Sequence, residues 1–233
     1  MENGSYYQSQ GQVAESLGGY TSKVFGWMFL GLLTTFLVSM FCISTVEIPM
    51  FFAKNIPVFY GLCIAEVIFV WFMASRILKM SVTAAKASFL AYSAVNGITL
   101  MFIFMVYELG SIVYVFGVCA LFFGVMALYG YVTKTDLSGI GKILIFGVFA
   151  LAGFWILSLF LNLSAFERIV SFIGIGIFLG LTAYDTQKIK AYYYNFQGNP
   201  DMLAKASIFA ALQLYLDFIN LFLYLLRVMG RRR

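Results

Sequence analysis

Apolar residues do not alternate with polar ones along this chain; they come in long blocks. Seven predominantly apolar stretches lie at roughly 24–46, 57–78, 84–106, 110–132, 143–162, 168–187 and 205–229. Each approaches or exceeds the length of about 20 residues that a helix needs to cross a bilayer core. Charges fall mostly at the ends of the stretches. In lipid the backbone must satisfy its own hydrogen bonds, so each stretch is predicted to be a helix. The expected fold is an all-α membrane protein, a seven-transmembrane helix bundle formed by 23–233 as one domain. Before it, 1–22 is a polar segment rich in Gln, Ser, Gly and Tyr, with no basic region of the kind that opens a signal peptide. The linkers are short except 188–204, where Gln197-Gly198-Asn199-Pro200 carries turn chemistry.

Composition points the same way. The chain is 62% hydrophobic and 11% charged, with a mean hydropathy of +0.92. A soluble domain is about 45–50% apolar and about 25% charged. The net charge of +5 therefore reads as cationic loops facing anionic headgroups, not as a nucleic-acid surface. Histidine is absent, which removes the side chain that titrates near neutrality unaided. Cys42, Cys63 and Cys119 are scattered without a CxxC and read as buried free thiols. No cofactor is expected.

Lysine and arginine set the orientation. With the N-terminus cytoplasmic, nine lie inside: Lys23, Arg76, Lys79, Lys86, Lys134, Lys142, Lys188, Lys190 and Lys205. Lys54 and Arg168 lie outside. The tail opposes this bias, because after seven spans Arg227 and Arg231 to Arg233 fall outside as well. Either the tail is an exception or the last segment is re-entrant. Gly176 and Gly180 form a GxxxG in the sixth span, read as plain helix packing.

The last span holds the candidate chemistry. Gln213, Asp217, Asn220, Tyr224 and Arg227 recur at steps of four and three, which places them on one helical face. A polar stripe on an apolar helix must face the bundle interior or a watery cavity. Asp217 lies about 18 Å beyond Lys205 at 1.5 Å per residue, near mid-bilayer. An ionised Asp there costs about 2.5–3.5 kcal/mol on insertion scales, so it needs a partner, a proton or a function. The alternatives are a structural hydrogen-bonded Asp and a proton or ion site.

Asp185 sits where apolar character stops, in GLTAYDTQKIK, opposed by Lys188 and Lys190. On its own it also reads as a solvated helix-end carboxylate. If the sixth and seventh spans pack antiparallel, Asp185 and Asp217 meet. Two carboxylates sharing a site cannot both ionise cheaply. A shared proton would hold the helices together, and its loss would repel them or admit a hard cation such as Ca²⁺, which carboxylate oxygens suit. Glu66 is a further acid within a span, and Arg227 is a candidate counter-ion. Arg76 either reaches the Asp pair or snorkels to headgroups. In the third span Tyr92, Ser93, Asn96 and Thr99 make a second polar stripe, a candidate either for lining the same cavity or for bonding across helices.

At these residues the chain resembles the Bax inhibitor family, also called the transmembrane Bax inhibitor motif family, in its bacterial branch. The resemblance rests on LYLDFINLFLYLLRVMG, GLTAYDTQKIK, LYGYVTKTDLSGIG around Asp136, and AYSAVNGITL, and it runs over essentially all seven spans. It implies seven helices with the last one central, and a pH-sensitive Ca²⁺ leak. It further implies that Asp185 and Asp217 form the proton-sensing pair, and that Glu66 and Arg227 match the family's Glu and Arg. One position departs: counted from Glu66, Arg76 falls one residue short of the arginine that latches the pair, and Ile77 stands there.

Three functions follow as expectations. The first is a proton-regulated Ca²⁺ leak channel in a plasma (inner) membrane, if the source is bacterial. The second is a non-conducting regulator that binds a membrane-bound ATP-dependent protease or other membrane proteins, with 1–22 as a docking segment. The third is an intramembrane aspartyl protease. Tyr184-Asp185 suits that chemistry, but the GxGD and PAL motifs are missing, so the chain is expected not to be an enzyme.

Overall fold

A computed structural model describes residues 15–233. They form eight α-helices: α1 (Leu17–Ser44), α2 (Glu47–Lys54), α3 (Ile56–Arg76), α4 (Val82–Val106), α5 (Leu109–Val132), α6 (Ser138–Ser158), α7 (Glu167–Phe196) and α8 (Pro200–Met229). All but the short α2 are long and apolar enough to cross a membrane. Residues 1–14 of the expected polar segment lie outside the described residues. Its last part, Leu17 to Ser22, is already helical and belongs to α1.

Helix α1 starts early because Ser16 caps it, its Oγ accepting from the Gly19 amide at 3.1 Å. Its first turns are weakly apolar, yet Tyr20 and Val24 are fully buried. The Tyr20 ring meets Tyr193 of α7 at 5.7 Å, and the Tyr193 hydroxyl donates to the Glu15 carbonyl at 2.7 Å. The sixth expected span likewise ends late. Apolar character fades at Asp185, but α7 continues to Phe196 because Ile189 and Tyr193 still bury one face. The linker shrinks to the turn at Gln197 to Asn199. Asn199 Oδ1 then accepts from the Met202 amide at 3.0 Å, and Pro200 occupies the first turn of α8.

Helices α1 and α4 join through small residues. Thr35 Oγ1 donates to the Ser93 carbonyl at 2.8 Å and Ser39 Oγ to the Gly97 carbonyl at 2.6 Å. A Cβ on Gly97 would stand 2.7 Å from the Thr35 carbonyl oxygen, so only glycine permits this approach. Such close, hydrogen-bonded contact is what holds helices together where lipid offers no hydrophobic drive. The GxxxG of α7 does not act as one interface: Gly180 faces Leu144, whereas Gly176 faces open space.

Helix α8 is the most enclosed. Of its apolar window 72% is buried, against 11–28% for the other six, and it packs on α7, α1, α5 and α4. It is one continuous 30-residue helix, so the last segment is not re-entrant. The tail therefore lies at the opposite end of the bundle from the α7–α8 turn. There the Glu108 amide donates to the Arg231 carbonyl at 3.0 Å and the Arg233 amide to the Val106 carbonyl at 2.9 Å, which joins the tail to the α4–α5 corner.

Candidate functional site

The hairpin of α7 and α8 brings the two aspartates together. Asp185 projects from α7 and Asp217 from α8, both almost fully buried (8% and 4% exposed), with their carboxyl groups at hydrogen-bonding proximity. Two carboxyl groups in such contact cannot both ionise cheaply. Asp217 Oδ2 is buried and has no hydrogen-bond partner, so one oxygen of the pair is left for a proton or a cation.

Asp185 is the anchored member. Lys188, one turn further along α7, places Nζ 3.0 Å from Asp185 Oδ1, and Gln213 Nε2 donates to the same oxygen at 3.3 Å. The ammonium also faces the rings of Tyr184 and Tyr192, at 5.0 and 5.7 Å from their centroids. The Tyr192 hydroxyl donates to Gln213 Oε1 at 3.0 Å. Lys188, Tyr192 and Gln213 thus form a polar collar over the pair. The sequence marks Lys188 as a charge opposing Asp185, at helical spacing from it, whereas nothing in it marks Tyr192.

The position where the resemblance implies a latching arginine is apolar. Ile77 is fully buried against α8, while Arg76 is exposed. Arg76 takes no part in the pair, and one residue of helix rotation accounts for it. Lys188 supplies the positive charge instead.

The remaining stripe residues separate. Asn220 donates back to the Leu216 carbonyl at 2.8 Å. Tyr224 accepts from Trp155 Nε1 at 3.0 Å and stacks on Phe178, with centroids 5.8 Å apart. Arg227 lies over the Trp155 ring at 3.6 Å. From Asp217 to Arg227 is ten residues, about 15 Å along the helix, so one face serves two distant regions. The aromatic cluster of Tyr224, Trp155 and Phe178 fills the bundle between them.

Glu66 faces α4, where Thr99 Oγ1 donates to its Oε1 at 3.0 Å. Asn96 lies beside it and accepts from the Tyr215 hydroxyl at 3.0 Å; that hydroxyl also shares a hydrogen bond with Thr35 at 2.7 Å. Arg227, the candidate counter-ion, forms no ion pair with Glu66, and Arg76 does not reach the Asp pair. Among the described residues the ion pairs are Lys23–Glu15 and Lys188–Asp185. Glu66 is met by hydroxyl and amide groups on α4, and both arginines lie elsewhere.

No cluster of three or more His, Cys, Asp or Glu side chains suited to a metal occurs among the described residues. Ca²⁺ takes six to eight oxygens. The carboxylates of Asp185 and Asp217 supply at most four of these.

Comparison with known proteins agrees over nearly the whole chain. The family model described as Inhibitor of apoptosis-promoting Bax1 matches residues 17–233. The inner membrane protein YbhL of Escherichia coli (strain K12) is 40% identical over 223 residues, covering 95% of both chains. An uncharacterized protein of Borreliella burgdorferi is 39% identical over 217 residues, covering 92% of each. The protein RP147 of Rickettsia prowazekii is 39% identical over 223 residues, covering 94% of this chain and 92% of its own.

Proposed function

This chain belongs to the Bax inhibitor family of multi-pass membrane proteins, and from that premise we propose that it is a proton-regulated cation leak, with Ca²⁺ as the ion, in an inner membrane. The observation that carries the proposal is the buried Asp185–Asp217 contact with one unsatisfied carboxylate oxygen.

With a proton between them, the two carboxyl groups tie α7 to α8. Without it, two negative charges face each other in a poorly solvated site, and Lys188 neutralises only one. The uncompensated charge then draws water or a hard cation into the gap, and the helices part. On this reading the Tyr224–Trp155–Phe178 cluster stands across the route along the stripe toward the opposite end, and the conformation described corresponds to a closed one. Conduction requires that cluster to move as well.

The test is Ca²⁺ flux into liposomes holding the purified protein, across mildly acidic to mildly alkaline pH, beside Asp185→Asn and Asp217→Asn. The expected result is a pH-dependent flux whose pH dependence both substitutions remove. Absence of flux above empty liposomes at every pH overturns the reading.

One observation favours a second reading, a non-conducting regulator of a membrane-bound ATP-dependent protease or another membrane protein. Tyr193 of α7 grips the backbone at Glu15, so the chain at Glu15 lies against the helix that carries Asp185. A partner holding the polar segment would act on α7 directly. Undiminished capture of the partner after deletion of 1–14 would remove the segment from this reading.

A further inference from the structure

The tail arginines break the charge asymmetry of the chain, since they lie at the end of the bundle that is otherwise poor in Lys and Arg. What the structure does with them is specific. A cavity of about 330 Å³ opens at the end of α8, lined by Arg227, Arg232, Trp155, Tyr107 and Glu167 among others. Both guanidinium groups border it, and among the described residues neither enters an ion pair. Glu167 supplies a single carboxylate against two positive charges.

We infer that this cavity binds the phosphate group of an anionic phospholipid headgroup. A guanidinium presents five N–H donors in a planar fork that matches phosphate oxygens two at a time. The two arginines are placed differently, Arg227 through its side chain and Arg232 through its backbone. Arg227 rests on the Trp155 ring at 3.6 Å, and that ring is fixed by its own hydrogen bond to Tyr224. Arg232 is placed by its backbone. The tail pairs with the α4–α5 corner on either side of it and forms a bridge with Tyr107. The Arg231 amide adds a bond to Ser111 Oγ at 2.9 Å. Gly230 makes the turn possible, because a Cβ there would stand 2.7 Å from the Tyr107 ring. Preorganised donors bind without a further ordering cost.

The surroundings suit a lipid better than a free anion. Leu109, Phe166 and Ile169, near the same end, are all at least half exposed, an apolar skirt on which acyl chains can lie while the headgroup phosphate enters the cavity. This site is separate from the Asp pair and does not depend on conduction.

Trp155 is a built-in reporter. The chain has three tryptophans, so Trp27→Phe with Trp71→Phe leaves it alone in the full-length protein. In nanodiscs, phosphatidylglycerol added to phosphatidylcholine is expected to shift the Trp155 emission, and native mass spectrometry to retain phosphatidylglycerol preferentially. Arg227→Gln and Arg232→Gln are each expected to weaken retention roughly tenfold, the scale of a lost charge-assisted contact. Arg232→Gln is the decisive variant if Arg227→Gln misfolds, since the tail is fixed through backbone groups. In a parallel arm, inorganic phosphate is titrated against the protein in neutral detergent. An Arg232-dependent response to phosphate without lipid preference would support the phosphate site and assign it to a free anion. Retention of both lipids alike with no response to phosphate, or binding indifferent to Arg232→Gln, overturns the inference.

Discussion

Beside Asp217 of α8, Asp185 and Glu66 lie well inside the spans of this bundle, and the fold treats these two differently. Asp185 on α7 is answered by a full positive charge, Lys188 at 3.0 Å, inside a collar of Tyr184, Tyr192 and Gln213. Glu66 on α3 is answered only by neutral groups, the Thr99 hydroxyl and the Asn96 amide. Their helices differ accordingly: α7 packs against α8, α5, α6 and α1, while α3 leans chiefly on α4. A charge is tolerated deep in an assembly only if its partner is fixed. The well-packed α7 can fix an ion pair, and the peripheral α3 offers hydrogen bonds that also suit a neutral acid. On the proposed function the first arrangement is the site that a change in charge pulls apart. The second gives one that such a change barely moves.

The sharpest way to break this contrast is to remove the cation. Lys188→Met should destabilise the protein in detergent by about 2–3 kcal/mol, below the full cost of breaking a buried pair because the lysine keeps some exposure. Adding Asp185→Asn should restore most of the loss, since the stranded charge is then gone. Thermal unfolding of the two singles and the double closes the cycle. Additive losses would mean that the 3.0 Å contact carries no coupling and that Lys188 is a surface lysine.

The neutral network predicts smaller numbers. Tyr215→Phe removes a hydroxyl shared by Thr35 and Asn96 and should cost about 1–2 kcal/mol, the scale of a buried hydrogen-bonding group left unpaired. Glu66→Gln keeps an oxygen for Thr99 and should stay within about 0.5 kcal/mol of the parent. The same unfolding measurement checks both. A Glu66→Gln loss as large as that of Lys188→Met would show that Glu66 has an ionic partner after all, and the contrast would collapse.

The sequence makes part of this legible and hides part of it, for physical reasons. Hydropathy locates the seven spans because lipid imposes one length and one polarity on each of them. It misplaces the start of α1 and the end of α7 because Tyr20, Ile189 and Tyr193 are buried against protein outside the apolar blocks. Helical spacing puts Asp217 and Gln213 on an inward face, and an antiparallel hairpin is enough to bring Asp185 to them. The same spacing joins Tyr224 and Arg227 to the pair, although periodicity reports direction and not distance along the axis. Arg76 fails as a partner for the converse reason, since a one-residue offset turns it outward and buries Ile77. Lys188 is visible only as a charge opposing Asp185. Nothing in an apolar helix such as α6 marks Trp155 as the residue that closes one region and floors another.

A fourth acid, outside the spans, provides the scale against which the buried ones stand out. Asp136 lies in the α5–α6 connection, fully exposed, and its Oδ1 accepts from the Ser138 amide at 2.9 Å at the start of α6. Hydrogen bonds from the Ser138 hydroxyl and amide hold its carboxyl below the usual carboxylate range. Its folded value therefore lies below its unfolded one. The stabilisation it gives is complete above the ordinary carboxylate range and is lost as pH falls through the lowered value. Asp136→Asn should remove that small acid-side sensitivity and leave the melting temperature near neutral pH almost unchanged, because an uncharged Asn still accepts from Ser138. Melting curves of the parent and the variant, stepped downward in pH, are the check. If the two curves stayed parallel to the lowest pH, the Ser138 contacts of Asp136 would contribute nothing to the acid sensitivity of the fold.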